Sequence, residues 1–420
     1  MRKNIIGKFY YKIRYRLFYR IATIIKNKFS NKSESFYKEY VEQILKIPKA
    51  NKQNYYKKDD TFQLSSNDPK LLAFYLPQFY PFQENNDWWG KGTTEWTNVS
   101  KAIPQFLGHD QPKLPAELGY YDLRLIDNIK SQVRLAKDHG IYGFCYYYYW
   151  FDPKRLLDLP LDLFLNNKDI DFKFCLCWAN ESWAKRFWGT DNTVIMEQPS
   201  SIDSYIRAID DMLKYFKDDR YVVVNGGKLL SIYKPSNIPN PQHVISEWRR
   251  KAAIHNINLH IVGVKEFNLE LDLLSLGFDA ISEFQPVSCF KSCTTITSKY
   301  KYINNNFNGI VFDYKDLVIN KKYLTTELSD YTYSAVMPQW DNTARKNKNA
   351  TIFHGSTPDL YKQWLEDAIT RTINNTKLHE PIIFINAWNE WGEGAYLEPD
   401  RKYGYEYLTA TLEAIKNTRQ

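Results

Sequence analysis

The sequence predicts an α/β fold, a (β/α)8 TIM barrel with long βα loops and a basic N-terminal helical extension. Three observations carry that expectation. First, eight short apolar runs recur at residues 71–76, 142–147, 172–178, 229–233, 259–264, 280–284, 333–337 and 382–387. Second, amphipathic segments with helical spacing lie between most of them, as at 123–139, 202–216, 244–255 and 360–373. Strands that are apolar throughout and alternate with helices argue for a parallel sheet covered on both faces, and eight repeats over about 350 residues suit a barrel. Third, nearly every run ends in polar or aromatic residues, and barrel enzymes build their sites at the C-terminal ends of strands. A doubly wound sheet is the competing fold, but no G-x-G-x-x-G or P-loop follows the first run.

In chain order, residues 1–68 form the extension and linker, and residues 69–420 the barrel. Residues 1–33 hold ten Lys or Arg and no acid, so the formal charge of +8 sits there and the remainder is close to neutral. Nothing in that remainder resembles a nucleic-acid footprint. Apolar Ile, Leu, Phe and Tyr recur among the basic residues of 1–30, which suits either a basic amphipathic helix on an anionic membrane or a solvated basic arm. The longest uncharged stretch there is too short to span a bilayer, and no signal-peptide pattern is visible. The linker allows one helix, around residues 37–45.

The loop after the first run contains D-W-W-G-K-G-T-T-E-W-T-N-V, with Trp88, Trp89, Glu95 and Trp96, and the loop after the third reads W-A-N-E-S-W, with Trp178, Asn180, Glu181 and Trp183. Indoles mixed with amides and acids are the chemistry of a sugar subsite, although the same rings could pack the loops onto the barrel. Run ends add Tyr75, Gln78, Tyr148, Trp150, Glu283 and Trp340 to the substrate-binding candidates. The last run leads into N-A-W-N-E-W-G-E-G-A-Y-L-E-P-D, where Trp388, Asn389 and Trp391 surround Glu390 and Glu393. Apolar walls and a like-charged neighbour raise a carboxyl pKa, so this pair is the catalytic candidate. The five cysteines are an odd number with three inside expected strands, which fits a reduced, cytoplasmic protein. The seven histidines show no paired ligand spacing, so neither metal nor cofactor is expected.

The stretches A-F-Y-L-P-Q-F, W-W-G-K-G-T-T-E-W-T-N-V, G-F-C-Y-Y-Y-Y-W-F, F-C-L-C-W-A-N-E-S-W and W-N-E-W-G-E-G-A-Y-L-E-P-D resemble the WbsX-type family across residues 71–407. That family is labelled glycosyltransferase, occurs in bacterial surface-polysaccharide loci and is described as glycoside hydrolase family 99-like. The resemblance implies a barrel acting on O-antigen or capsule glycans, free or lipid-linked. Family 99 comprises endo-α-mannosidases and endomannanases, whose N-E-W-x-E-G motif implies Glu390 as the base on the sugar 2-hydroxyl and Glu393 as the acid for the leaving oxygen. This differs from ordinary retention, where a carboxylate is the nucleophile. Ala395 stands where that family has Thr, and Tyr75 matches its first-strand tyrosine only loosely, so mannose specificity does not carry over. Two other classes remain open. A nucleotide-sugar transferase would want an acid pair after a strand, whereas the only D-x-D, Asp169–Asp171, precedes one. A glycan-binding protein without turnover would keep the tryptophans and tolerate the loss of a glutamate.

Overall fold

The computed structural model describes residues 34–45, 62–184, 193–266, 271–324, 330–378 and 380–419. The basic arm and the expected membrane contact of residues 1–30 lie outside these.

The eight apolar runs become eight strands: β1 (Lys70–Tyr75), β2 (Gly143–Trp150), β3 (Lys173–Trp178), β4 (Gly227–Ile232), β5 (Asn258–Val264), β6 (Ala280–Ser282), β7 (Thr332–Val336) and β8 (Ile382–Ile385). Each pairs in parallel with the next, and β8 pairs with β1 to close the barrel. Closure leaves no edge to protect.

Side chains alternate across the barrel wall, and register decides which set points in. Phe74 lies beside Cys145, and Tyr147 beside Cys177. The Phe74 ring packs on Tyr147, Phe284 and Phe384 at 5.2–5.5 Å, which fills the interior. The other parity meets the helices. The Tyr75 hydroxyl donates to Gln132 Oε1 of the helix Ile126–Asp138 at 2.7 Å. Tyr148 bonds Asp211 of the helix Ile202–Phe216, and Trp178 packs on Trp248 of the helix Pro241–Ala253.

The helices form where local chemistry allows them. Ser201 caps Ile202–Phe216 by accepting from the Ser204 amide, and Tyr205, Ala208, Ile209, Met212, Leu213 and Phe216 bury one face. Thr357 caps Pro358–Ile373 in the same way, with Pro358 in the first turn, where its missing N–H costs nothing. The linker helix spans Glu34–Leu45.

The insertion between β6 and β7 was not legible as structured. It contributes the short strand Ile310–Asp313, which pairs with Thr351–His354, which in turn pairs with Trp340–Asp341. A small core of Phe106, Ile296, Tyr302, Phe307, Val311, Ala350 and Ile352 sits beneath it. These strands of two to four residues are too short for a period-2 pattern to register.

Candidate active site

Past β8 the chain forms a two-residue ribbon, Asn389–Glu390 against Ala395–Tyr396, around a single 3-10 turn, Trp391–Glu393. Asn389 stitches this ribbon to the end of β1. Its Oδ1 accepts from the Leu76 amide at 2.7 Å and its Nδ2 donates to the Leu76 carbonyl at 3.0 Å, so the side chain acts as a strand partner. A β-carbon at Gly392 would overlap Glu95 Oε1, so only glycine lets the turn approach that carboxylate. Gly394 takes φ +58°, a left-handed conformation that glycine adopts without strain.

The turn aims Glu390 and Glu393 into one cavity of about 160 Å3 at the C-terminal mouth of the barrel. Both meet Arg345, on the short helix Thr343–Lys346 after β7. Its Nη2 lies 2.7 Å from Glu390 and 2.7 Å from Glu95, and its Nη1 lies 2.8 Å from Glu393. Two carboxyls held by one guanidinium are within roughly 8 Å of each other, inside the range of paired glycosidase carboxylates. Asp341 holds the Arg345 loop in place. It accepts from Thr343 Oγ1, from Gln111 Nε2 at 2.6 Å and from His109 Nε2 at 2.7 Å. The Gln105 amide donates to His109 Nδ1, which leaves the proton on Nε2 to face Asp341.

Burial pushes the Glu390 carboxyl up to about 8; Arg345 opposes the rise, and the Glu393 and Glu95 charges add to it. Burial also raises Glu393, less completely screened from solvent with a quarter of its side chain exposed against 6% for Glu390. Three carboxylates around one arginine favour retaining a proton, which Glu390 and Glu393 share as a closely coupled pair. For Glu390 to serve as a base, the donors of a bound sugar must add to Arg345 in favouring its ionised form.

The raised carboxyl has a consequence for stability. Between the ordinary carboxyl value of 4.5 and about 8, folded Glu390 keeps a proton that the unfolded chain has lost. Its contribution is therefore full below that window and lost as pH rises through it. Glu390→Gln should melt above the parent at pH 8 by a few degrees, with the gap shrinking toward pH 5. A gap that does not change with pH, read by calorimetry, would count against a raised Glu390.

The expected residues divide by position. Gln78, Glu181, Trp183, Glu390 and Glu393 line the cavity, and Glu95 stands behind it at full burial on Arg345. Trp183 meets Trp88, Tyr149 and Phe151 edge-on at 5.1–5.8 Å, which places Trp88 next to the wall. Trp183→Ala should weaken glycan binding about tenfold, since a partly exposed indole is available to a sugar face. A large fall in melting temperature with unchanged binding, by calorimetry and titration, would return Trp183 to packing.

The other candidates lie off the cavity. Tyr75, Tyr148 and Trp178 belong to the outward parity, and Trp150 packs on Trp178 at 5.9 Å. Asn180 is a loop staple, bonded to Lys234 and Asn237. Glu283 is buried behind the barrel wall, accepts from the Ala335 amide and is pushed up to about 7 by burial. Trp89 ends the helix Gln83–Trp89 half-buried, and Trp340 is buried in the small sheet. Trp96 packs on Phe79, Tyr121 and Trp391. Trp388 rests on Phe144, and Trp391 stacks on Tyr396 at 3.8 Å while donating to Glu398 at 2.6 Å. The motif tryptophans thus brace the turn from behind instead of walling the carboxylates.

The walls are Tyr147, Tyr149, Tyr233 and Phe284; Tyr233 closes the fourth apolar run and is expected at the barrel mouth, whereas Tyr147, Tyr149 and Phe284 were not among the expected site residues. Burial first, and carboxylate charges second, push all three phenols well above their ordinary value, so they remain protonated donors facing the acids. Tyr147 and Tyr149 alternate along β2 with Tyr148 and Trp150, the residues expected at the site from the end of that run. Arg345 carried no signal, being an isolated arginine 45 positions before Glu390. A wider, open depression lies at Asp330, Arg371 and Lys377, at the N-terminal end of the barrel, opposite the face on which barrel enzymes build their sites. Asp169 and Asp171 also lie at that end, paired to Lys130 and Lys137.

Among solved structures, the fold is similar to a glycoside hydrolase-like protein, with a TM-score of 0.54, 14% identity and coverage of 86% of this chain and 98% of that one. It is also similar to the GH99 endo-alpha-mannosidase from Bacteroides thetaiotaomicron in complex with bis-tris-propane, with a TM-score of 0.51, 17% identity and coverage of 83% and 97%. Two curated relatives, both called uncharacterized protein WxcX, come from strains of Xanthomonas campestris pv. campestris. They are 41% and 40% identical over 347 residues, covering 82% of this chain and 49% of their own length. The chain thus spans about half the length of the curated relatives it matches. The family model described as glycosyltransferase WbsX matches residues 71–411. The chain belongs to the WbsX glycosyltransferase family.

Proposed function

We propose that this chain cleaves or transfers glycosidic bonds in a bacterial surface polysaccharide of the O-antigen or capsule type, using Glu390 and Glu393 as its proton-transfer pair. One observation carries the reading: two carboxyls of raised pKa share a cavity at the barrel mouth under a single arginine. Proton transfer at a sugar hydroxyl or leaving oxygen needs groups poised near working pH. Tyr147, Tyr149 and Tyr233 supply hydroxyl donors, and Trp183 an indole for a sugar face.

The only D-x-D, Asp169–Asp171, lies at the opposite end of the barrel and is paired to Lys130 and Lys137, which favours this reading over a metal-dependent nucleotide-sugar transferase. The test is incubation of purified protein with lipid-linked polysaccharide from its source organism, with and without nucleotide sugars, read by mass spectrometry. Shortened or re-ligated chains without added nucleotide sugar are expected. Turnover that strictly requires a nucleotide sugar would overturn the reading in favour of the transferase.

A further inference from the structure

The helix Glu34–Leu45 presents three distinct faces. Phe36, Tyr40 and Gln43 are half-buried and turn toward the protein. Tyr37, Val41, Ile44 and Leu45 follow the spacing i, i+4, i+7, i+8 and are 55%, 51%, 39% and 79% exposed. That is an apolar stripe along one side of a helix, with nothing described covering it. Glu39 and Glu42 fall on the side away from the stripe, and Glu34, in the first turn, falls on the stripe side at the end next to the basic residues.

The helix is fastened at the barrel mouth. Gln43 Oε1 accepts from the Gly108 amide at 2.8 Å and Gln43 Nε2 donates to the His109 carbonyl at 3.2 Å, both in the loop after β1. Glu39 also approaches Lys301, in the insertion after β6. His109 in turn holds Asp341, whose loop carries Arg345. The stripe is thus tied to the end of the barrel that opens onto Glu390 and Glu393. Directly before it in sequence come ten Lys or Arg without an acid.

We infer that this helix docks the protein on an anionic lipid surface, its apolar stripe entering the headgroup boundary and the basic residues before it meeting lipid charge. A stripe of four apolar residues with an adjoining basic cluster is the pair of signals that surface-lying helices use, and neither alone binds strongly. No helix among the described residues is long and apolar enough to cross a membrane, so this contact lies on the surface. The barrel mouth is then held at the bilayer, and the glycan that reaches it is one carried on a lipid. This last step rests on the glycan reading above; the docking itself does not.

The experiment is co-sedimentation of the full chain with phosphatidylglycerol-containing vesicles and with pure phosphatidylcholine vesicles. The parent should bind only the anionic vesicles, and added salt should weaken binding. Val41→Asp with Leu45→Asp should reduce binding at least tenfold without lowering the melting temperature, because neither side chain is buried. Glu390→Gln should bind as the parent does, so an error in the glycan reading leaves this result standing. Parent-like binding by the Val41→Asp, Leu45→Asp variant would overturn the proposal. So would a concentration-dependent dimer, abolished by the same substitutions in sedimentation velocity, since the stripe would then belong to a second copy. On a soluble glycan the variant should match the parent, while its activity on vesicle-borne glycan falls.

Discussion

Glu390→Gln and Glu393→Gln should each lower glycan turnover at least about a hundredfold, the lower end of what a general acid or base contributes. Gln keeps the shape and one acceptor but can neither take nor give the proton. Both side chains line the same cavity, and both are held by Arg345. Binding of the glycan should persist in each variant, because the three tyrosines and Trp183 that line the cavity are untouched. The two variants should also differ. An activated leaving group relieves the need for an acid but not for a base, so a substrate with a good leaving group should rescue the acid variant alone. If the family roles hold, that variant is Glu393→Gln; rescue of Glu390→Gln would exchange the roles. Parent-like turnover in both would end the paired-glutamate proposal.

Arg345→Met should be the most damaging single change to stability. The guanidinium is the shared partner of Glu95, which is fully buried, of Glu390 and of Glu393. Removing it leaves three carboxylates together in a poorly solvated site. Breaking one buried ion pair from one side costs about 3–5 kcal/mol, and here three acids share the loss. A melting temperature lower by about 10 °C at pH 8 is expected. The loss should shrink as pH falls, because protonation neutralises acids that no longer have a counter-charge. Adding Glu95→Gln should restore part of it, since one buried negative charge then disappears. Turnover should be lost as well, as Arg345 is the ion-pair partner that the two catalytic candidates share. An Arg345→Met protein that melts like the parent across this pH range would show that the clamp carries no energy.

The eight strands were legible because each is a local apolar run, and burial on both faces of a parallel barrel demands such runs wherever they occur. Glu390 and Glu393 were legible for a similar reason. Two acids three residues apart after a buried strand are costly unless structure is arranged for them, and Gly392 and Gly394 are required by the close approach of Glu95 and a positive φ. What sequence could not decide was phase and partnership. In β2, five aromatic residues follow one another from Tyr146 to Trp150, so alternation alone names two candidate faces without saying which looks inward. Only the register with β1 and β3 puts Tyr147 and Tyr149 in the cavity and turns Tyr148 toward Asp211. The tryptophans misled for the same reason: an indole contributes as much by packing behind a turn as by facing a sugar, and its type does not reveal its side. Arg345 is the sharpest case. It is one of 56 basic residues, and its importance arises from Asp341, His109 and Gln111 converging from distant loops to aim it at three acids. The pKa values follow from that convergence, because burial and neighbouring charge are properties of a folded site. Strand content and the acid pair were therefore written locally, whereas the walls, the clamp and the raised pKa of the two acids exist only once the barrel has closed.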